Sequence, residues 1–148
     1  MTDISYFKEA LLIRRVEEKL LELFSKGKIN GTIHTCVGQE FSAVAFINQI
    51  NENDIIVSNH RCHGHFIVYS KSYRELIAEL MGSKRGVCGG IGGSQHLHWK
   101  NFYSNGIQGG MVPIAAGLAL ASKMGKKDGI LWLLLGTAPW GREYFMKQ

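Results

Sequence analysis

The segment GILWLLLG, residues Gly129–Gly136, lies near the carboxyl end of the 148-residue chain and indicates the fold class. We call the strand that it predicts the deciding strand. Six consecutive apolar residues closed by a glycine are typical of a strand that is buried on both faces of a parallel sheet. The segment Pro113–Lys123 predicts the crossover helix that precedes this strand. Because ligands of open α/β sheets lie beyond the carboxyl ends of the strands, we expect a ligand site immediately after Leu135.

The composition bounds the class of protein. A hydrophobic content of 45% and a charged content of 20% predict one globular domain with its own core. No apolar run approaches the roughly 20 residues that span a bilayer, and the first residues lack the basic and apolar regions of a secretory signal. These features predict a cytoplasmic protein with no membrane partner.

Cysteines and basic residues exclude further classes. Cys36, Cys62 and Cys88 form no C-x-x-C pair, so neither a disulfide framework nor a zinc finger is indicated. The net charge is +5, but no run of basic residues is longer than two. A nucleic-acid surface needs clustered basic residues, so we expect no nucleic-acid partner. An anionic small molecule or an acidic protein is compatible with this charge.

Periodicity predicts the elements upstream of the deciding strand. A first helix ends near Lys26, a second covers Gly38–Ile50, a short strand covers Ile55–Val57, and Ser72 with Glu75 forms a capping box that opens a further helix. The predicted buried stripe of the first helix consists of Leu12, Val16, Leu20, Leu23 and Phe24.

A histidine-rich segment follows the short strand. His60, Arg61, His63 and His65 offer a guanidinium fork and several imidazoles, which suits an anion. The density of histidines also permits a metal site, although no carboxylate lies at a helpful spacing. A polar surface loop is the third interpretation, and the cluster alone does not decide among the three.

Two glycine-rich stretches suggest close approach of the backbone to a ligand. Gly89–Ser94 has the composition of a phosphate cradle but lacks the spacing of a Walker loop. Gly106–Pro113 precedes a predicted helix with Pro113 at its first position, so free N–H groups and the positive end of the helix dipole meet there. A tight loop that needs small residues explains the second stretch equally well.

Four motifs occur together in one order along the chain. They are Gly38-Gln39-Glu40, His60-Arg61-Cys62-His63-Gly64, Gly92-Gly93-Ser94-Gln95-His96 and Gly106-Ile107-Gln108-Gly109-Gly110-Met111-Val112-Pro113. In this combination, Leu11–Gly136 resembles the alpha subunit of the thiamine-diphosphate-dependent 2-oxo acid dehydrogenases, which include the pyruvate, branched-chain and acetoin enzymes. The resemblance implies an α/β thiamine-diphosphate-binding fold, a parallel sheet with flanking helices, that is truncated after an early sheet strand.

The resemblance also implies roles for individual residues. Arg61 matches an arginine that contacts the cofactor diphosphate, and His60 occupies the adjoining position. His63 matches a catalytic histidine that lines the entrance of the active site. Ser94 and His96 lie in a loop near the substrate channel.

The remaining implied contacts concern the cofactor. Gly106 and Gln108 match backbone contacts to the aminopyrimidine, and Gly136 begins the loop that follows the deciding strand. The family has an apolar side chain at position 108 that helps to hold the cofactor bent, so Gln108 is a departure from the pattern.

The activity and the partners follow from the same resemblance. The family oxidatively decarboxylates a 2-oxo acid, or cleaves an acetoin-like substrate, with thiamine diphosphate and Mg²⁺, and passes the acyl group to a lipoyl carrier. The implied partners are a beta subunit, which supplies the glutamate that activates the aminopyrimidine, and a lipoyl acyltransferase core.

The chain departs from the family after Gly136. The family has Gly-Asp-Gly here, and its Asp is an oxygen ligand of the magnesium ion. Thr137 and Ala138 replace Asp and the second Gly, so no metal ligand is predicted and magnesium-dependent cofactor binding should be weakened. We therefore divide the chain into residues 1–136, the N-terminal part of a thiamine-diphosphate-binding domain, and an aberrant tail, residues 137–148.

A frameshift is one hypothesis for this tail. With synonymous codons chosen for the purpose, deletion of one G before the Asp codon of a typical family sequence yields the twelve residues from Gly136 to Lys147. The alternative to an enzyme subunit is then a non-catalytic fragment, either a pseudogene product or an assembly module. Loss of the following strands would leave an uncovered apolar edge and predicts poor solubility.

Overall fold

The structure is a computed structural model and describes residues 3–136. Within these residues five helices and four strands follow one another along the chain. They are α1 (Asp3–Ser25), α2 (Glu40–Ile47), β1 (Ile55–Ser58), α3 (His63–Ser70), α4 (Tyr73–Leu80), β2 (His98–Trp99), β3 (Phe102–Ser104), α5 (Met111–Met124) and β4 (Leu131–Leu133). The predicted tail, residues 137–148, and the Thr137 position lie outside the described residues.

The sheet has the order β2-β3-β1-β4. Strand β1 pairs in parallel with both β3 and β4, as the crossover helix α5 requires. Strand β2 is antiparallel to β3, so the expectation of a wholly parallel sheet is wrong at this edge. The reason is a tight turn in which Lys100 adopts a φ of 52° and reverses the chain. The result is an α/β domain with a mixed sheet.

Helices cover both faces of the sheet. Ile56 of β1 and Phe102 of β3 belong to the larger core with residues of α1 to α4. Val57 belongs to a second, smaller cluster with Met111 and Ala115 of α5. Because successive residues of a strand point to opposite faces, this division places α5 alone on one face of the described sheet.

Helix α1 buries a different stripe from the predicted one. Val16 and Leu20 are buried as expected, but Leu12 and Phe24 are exposed. The buried face is completed by Ala10, Ile13 and Glu17. Apolar residues flank this face on both sides, so their spacing alone does not decide which of them meets α2 and α3.

The histidine-rich segment is half helical. A polar surface loop was one of the three interpretations of this segment, but His63 begins α3, whose buried residues include His63 and Gly64. A Cβ on Gly64 would lie 3.0 Å from the Ala43 Cβ atom and 3.0 Å from the Cys36 Sγ atom. Only glycine therefore allows α3 to approach α2 this closely.

The deciding strand lies at an edge of the described sheet. Leu131, Trp132 and Leu133 are half-buried and pair with β1 alone among the described strands, so the expectation of burial on both faces is wrong. The buried Asp54 carboxylate anchors this edge by accepting the Ile130 N–H at 2.8 Å and the Trp132 Nε1–H at 3.0 Å.

Two predicted helix starts differ in detail. Helix α5 begins at Met111, so Pro113 is its third residue and not its first; the missing N–H costs little because N–H groups of the first turn have no acceptor within the helix. Helix α4 begins directly after Ser72 as predicted, but the Ser72 side chain makes no capping hydrogen bond. None of the helices within residues 3–136 has the length and hydrophobicity of a membrane span.

Candidate functional site

The carboxyl ends of β1, β3 and β4 meet at one edge of the sheet because these three strands are parallel. The chain leaves this edge through residues 59–61, 105–108 and 134–136. These segments contain most of the predicted site residues. We call the cleft that they border the strand-end crevice.

Gln108 connects two strand ends across the crevice. Its Oε1 atom accepts the backbone N–H of Gly136 at 2.8 Å, and its Nε2 atom bonds the Nδ1 atom of His60. A Cβ on Gly136 would lie 2.6 Å from Gln108 Oε1, so a side chain there would displace the Gln108 amide. Three residues predicted from separate motifs therefore form one hydrogen-bonded chain.

His34 and Gln95 complete this edge of the sheet. The His34 ring packs edge-on against the His60 ring, with 5.3 Å between centroids. Gln95 Nε2 bonds His34 Nδ1 at 2.5 Å. Gln95 Oε1 rests against Gly106, where a Cβ would lie only 1.8 Å away. Gly106 thus allows the Gln95 side chain to reach the crevice.

Arg61 is the exposed cation of the crevice. Its guanidinium donates to the Thr35 carbonyl, and its backbone N–H donates to Asn59 Oδ1 at 2.9 Å. Partial burial lowers the pKa of His60, and electrostatic interactions with His34 and Arg61 lower it further. His60 is therefore neutral at pH 7, and its Nδ1 atom accepts a hydrogen bond from Gln108.

A second group of predicted residues lies beneath the crevice. His63 is fully buried; its Nδ1 atom lies 3.1 Å from Glu17 Oε1 and its Nε2 atom lies 3.0 Å from Ser94 Oγ. The Ser94 hydroxyl oxygen also accepts the backbone N–H of His34 at 3.1 Å, and this hydrogen bond joins the group to the crevice. His96 is exposed, and its N–H donates to the Gly92 carbonyl at 3.2 Å.

The three histidines of the metal-site interpretation, His60, His63 and His65, have separate partners. His60 contacts Gln108, His63 contacts Glu17, and His65 Nδ1 accepts the Ser58 hydroxyl at 2.9 Å. Burial lowers the pKa of His65 to about 4, so this ring is neutral at pH 7. No group of three potential metal ligands is assembled within residues 3–136, which argues against the metal-binding interpretation of this cluster.

The glycine loop is organised by a carboxylate of the chain itself. Buried Glu79 accepts backbone N–H groups of Cys88, Gly90 and Gly92 at 2.7, 2.9 and 2.7 Å. It also accepts the Gly93 N–H at 3.2 Å. The donors that a phosphate cradle would offer are thus already paired, and this explains the composition of the loop without a ligand.

The crevice contains residues that the sequence did not single out. His34 and Gln95 bridge the predicted residues, and Glu17 supports His63. His34 lies between the first two predicted helices and outside the quoted motifs, and Glu17 lies on a helix among several other glutamates. The one signal for Gln95 is its position inside the GGSQH motif.

The donor set fits the anionic part of a diphosphate cofactor but not its metal. Arg61 supplies a guanidinium, and Gly136 supplies a backbone N–H at the end of a strand. Residues 59–61, 105–108 and 134–136 contain no carboxylate, whereas Mg²⁺ prefers carboxylate and other oxygen ligands. Within residues 3–136, the segments that border the crevice therefore offer donors suited to an anionic group and no carboxylate.

Another opening lies at the opposite end of the sheet. This groove of about 620 Å³ is bordered by Asn53 and Asn101 near the amino ends of the strands, and by Lys123 of α5. None of the predicted site residues borders it.

Comparison with known proteins gives a consistent result. The sequence model of the family described as "Dehydrogenase E1 component" matches residues 8–142. The yeast Saccharomyces cerevisiae mitochondrial pyruvate dehydrogenase E1 component subunit alpha is 40% identical over 136 residues, which cover 91% of this chain and 32% of the relative. The human somatic-form subunit is 40% identical over 134 residues, 90% of this chain and 34% of the relative. The pig (Sus scrofa) somatic form is 42% identical over 135 residues, again 90% and 34%.

The comparison corrects one expectation and sets one limit. These relatives are named as mitochondrial proteins, so the expectation of a cytoplasmic protein is wrong. The chain spans about a third of the length of the curated relatives that it matches.

Proposed function

Because the chain belongs to the dehydrogenase E1 component family, we propose that it acts as the N-terminal part of the alpha subunit of a thiamine-diphosphate-dependent 2-oxo acid dehydrogenase. The observation that carries this proposal is the hydrogen-bonded chain His60–Gln108–Gly136 beside Arg61 at the carboxyl ends of three parallel strands. This is the place where α/β sheets bind ligands.

The chain supplies one side of a cofactor site. Arg61 would hold the diphosphate through its guanidinium, since this group matches phosphate oxygens in a bidentate manner. The Nε2–H of neutral His60 would donate beside it, and the N–H of Gly136 would do so once Gln108 Oε1 releases it. The backbone of Gly106 and Gln108 would contact the aminopyrimidine.

The residues behind the crevice serve the substrate side. Ser94 and His96 would border the substrate channel. His63 would influence the channel through its hydrogen bond to Ser94. Bound thiamine diphosphate would supply the electron sink for decarboxylation of the 2-oxo acid. The part of this chain is to bind, orient and enclose that group.

The proposed partners follow from the missing parts of the site. A beta subunit would supply the carboxylate that activates the aminopyrimidine, and a lipoyl acyltransferase core would receive the acyl group. We assign no magnesium ion to the described residues, because the strand-end segments contain no carboxylate.

A non-catalytic assembly module is the second candidate. Two observations favour it: Gln108 occupies the Gly136 N–H, and the described strand ends have no carboxylate for a metal. In this case the chain would bind the beta subunit without binding cofactor.

The tail is a separate proposal. We propose that residues 137–148 are encoded out of frame, since with suitably chosen synonymous codons a one-nucleotide deletion in a typical family sequence yields the residues from Gly136 to Lys147. Sequencing of the DNA around codon 136 tests this. If no frame there encodes Gly-Asp-Gly, the frameshift proposal fails.

Calorimetric titration of thiamine diphosphate with Mg²⁺, with and without a beta subunit, distinguishes the two functions. We expect saturable binding when the beta subunit is present. Arg61→Gln should weaken it about 10- to 100-fold, because a charge-assisted bond to phosphate contributes about 1.5–3 kcal/mol. Arg85→Gln is the matched control, since Arg85 is an exposed arginine outside the crevice, and it should have no effect. Absence of saturable binding under both conditions would rule out the enzyme subunit.

A further inference from the structure

Glu17 is a fully buried carboxylate to which the proposed function gives no role. It lies on α1, and its Oε1 and Oε2 atoms lie 3.1 and 3.2 Å from the Nδ1 atom of His63. Oε1 also accepts the backbone N–H of Cys36 at 2.9 Å and contacts its thiol at 3.1 Å. The side chain therefore sits among hydrogen-bond donors on two other segments.

The other nitrogen of the His63 ring faces Ser94. Nε2 lies 3.1 Å from the Ser94 carbonyl oxygen and 3.0 Å from its hydroxyl oxygen. A carbonyl oxygen can only accept, so Nε2 must carry a hydrogen. Glu17, His63 and Ser94 are arranged like the acid, histidine and serine of a catalytic triad. A protonated Nε2 atom, however, cannot act as the base for the Ser94 hydroxyl. The geometry assigns His63 a donor role.

The charge of Glu17 decides the state of the Nδ1 atom. Burial tends to raise the pKa of Glu17, but the hydrogen bond and charge of His63 and the donors of Cys36 outweigh burial and lower it. Glu17 is therefore an ionised acceptor at pH 7. With an acceptor on each side, the ring donates from both nitrogens.

These contacts extend to the crevice in three steps. Nε2–H of His63 holds Ser94, whose hydroxyl oxygen accepts the His34 N–H at 3.1 Å. The neighbouring Gln95 bonds the His34 ring and rests against Gly106. A displacement of Ser94 would thus move both side chains that border His60 and Gly106.

We propose that Glu17 is a positioning residue: its carboxylate keeps a hydrogen on each nitrogen of His63, and the charged ring holds Ser94, and with it His34 and Gln95, at the strand-end crevice. The proposal takes the crevice of the proposed function as the site that is positioned. Its contacts join residues of this chain to one another, so it is tested on the chain alone.

The test reads the ring nitrogens of His63 directly. The full chain is labelled with ¹⁵N, and the directly bonded N–H signals of the ring are recorded at pH 7, by magic-angle-spinning NMR if the chain precipitates. In the wild type we expect an N–H signal from both nitrogens. In Glu17→Gln we expect loss of the Nδ1–H signal and retention of the Nε2–H signal, because a neutral amide can donate to Nδ1. Glu18→Gln, on the exposed neighbour that pairs with Arg15, is the matched control and should retain both signals.

Amide exchange measures the positioning itself. Since charge-assisted hydrogen bonds are about twice as strong as neutral ones, the His34 N–H should exchange roughly tenfold faster in Glu17→Gln. The Ile56 N–H, which is bonded to the Asn101 carbonyl at 2.9 Å inside the sheet, should change much less and so excludes global unfolding as the cause.

Each other outcome overturns the proposal. If the His63 ring of the wild type lacks a hydrogen on Nε2 or on Nδ1, the proposed protonation of the ring is wrong, even if the variants fail to fold. An Nδ1–H signal that persists in Glu17→Gln shows that the carboxylate is not its cause. Equal acceleration of His34 and Ile56 assigns Glu17 a general structural role. None of these results bears on cofactor binding, so this proposal and the proposed function fail independently.

Discussion

At the scale of single residues, the glycines of this chain differ in what a side chain would meet. A Cβ on Gly86 would lie 2.5 Å from the Cα atom of Glu79 and 2.7 Å from its backbone nitrogen, and neither backbone atom can move freely. A Cβ on Gly117, within α5, meets nothing within 4 Å. Gly86 is therefore fixed by packing, whereas Gly117 is not.

This contrast gives a matched pair of predictions. Gly86→Ala should lower the free energy of unfolding by about 2 kcal/mol or more, because α4 and the glycine loop must separate. Gly117→Ala should raise it by up to about 1 kcal/mol, since alanine has the higher helix propensity. Urea denaturation measures both. Equal effects of the two substitutions would contradict the packing of Gly86 against Glu79.

The site residues were predictable from the sequence where a motif carried them. His60, Gln108 and Gly136 come from three separate motifs, and they meet because parallel strands end at one edge. The supporting residues His34 and Glu17 were not predictable, because neither lies in a motif and their partners are 60 and 46 residues away. Whether Glu17 is buried depends on which face of α1 packs against α2 and α3. The sequence of α1 does not determine that face, because apolar residues flank it on both sides.

At the scale of elements, helix α5 is the most exposed part of the fold. Leu120 and Met124 are 58% and 76% exposed, and Ile114 is 50% exposed. Strand β4 beside it has a free edge within the described residues. Exposed apolar helix faces and open strand edges promote association.

We therefore expect the chain to aggregate when it is expressed alone. The double substitution Leu120→Gln and Met124→Gln should increase the soluble fraction and lower the light scattering, because it removes the largest exposed side chains of α5. Ala116→Gln, at another exposed position of the same helix, is the control and should change neither. A monodisperse wild-type monomer with a cooperative melting transition would contradict this prediction.

Elements were predicted well where local signals were strong. The turn residues before β1 and the capping-box pattern before α4 placed these elements correctly. Helix α3 was missed because its first residues are polar histidines, yet two neighbouring helices bury them. The antiparallel strand β2 is only two residues long and has no periodicity to detect.

At the scale of the whole molecule, buried carboxylates connect distant elements and make the fold sensitive to acid. The Arg14 hydrogen bond lowers the pKa of Glu40. Burial tends to raise the pKa of Glu17 and Asp54, but their hydrogen bonds outweigh burial and lower it. Each group therefore titrates at a lower pH in the folded chain than in the unfolded chain, whose carboxyl pKa values are about 4.

These lowered pKa values predict that the fold loses stability in acid. A lowered carboxyl pKa stabilises the fold fully above the unfolded value, and this contribution is lost as the pH falls through the folded value. The folded pKa values of His65 and His60 lie below the usual value of about 6.5, so the unfolded chain takes up these protons first and the fold begins to lose stability below about pH 6.5. We therefore expect the urea midpoint to fall as the pH drops below about 6.5, and more steeply below about pH 4.5. Glu17→Gln should reduce the size of this fall. A midpoint that does not change between pH 6 and pH 3 would contradict the roles of these carboxylates.

For the molecule as a whole, we propose that the chain carries one side of a cofactor site at the carboxyl ends of β1, β3 and β4. Amide chemical shifts of the labelled chain, in complex with an unlabelled beta subunit, test it most directly during titration with thiamine diphosphate and Mg²⁺. We expect saturable shifts at His60, Arg61, Gly106 and Gly136, and none beyond those of a buffer control at Asn53 in the opposite groove. Shifts that cluster around Asn53, or no saturable shift at the strand ends, would contradict it.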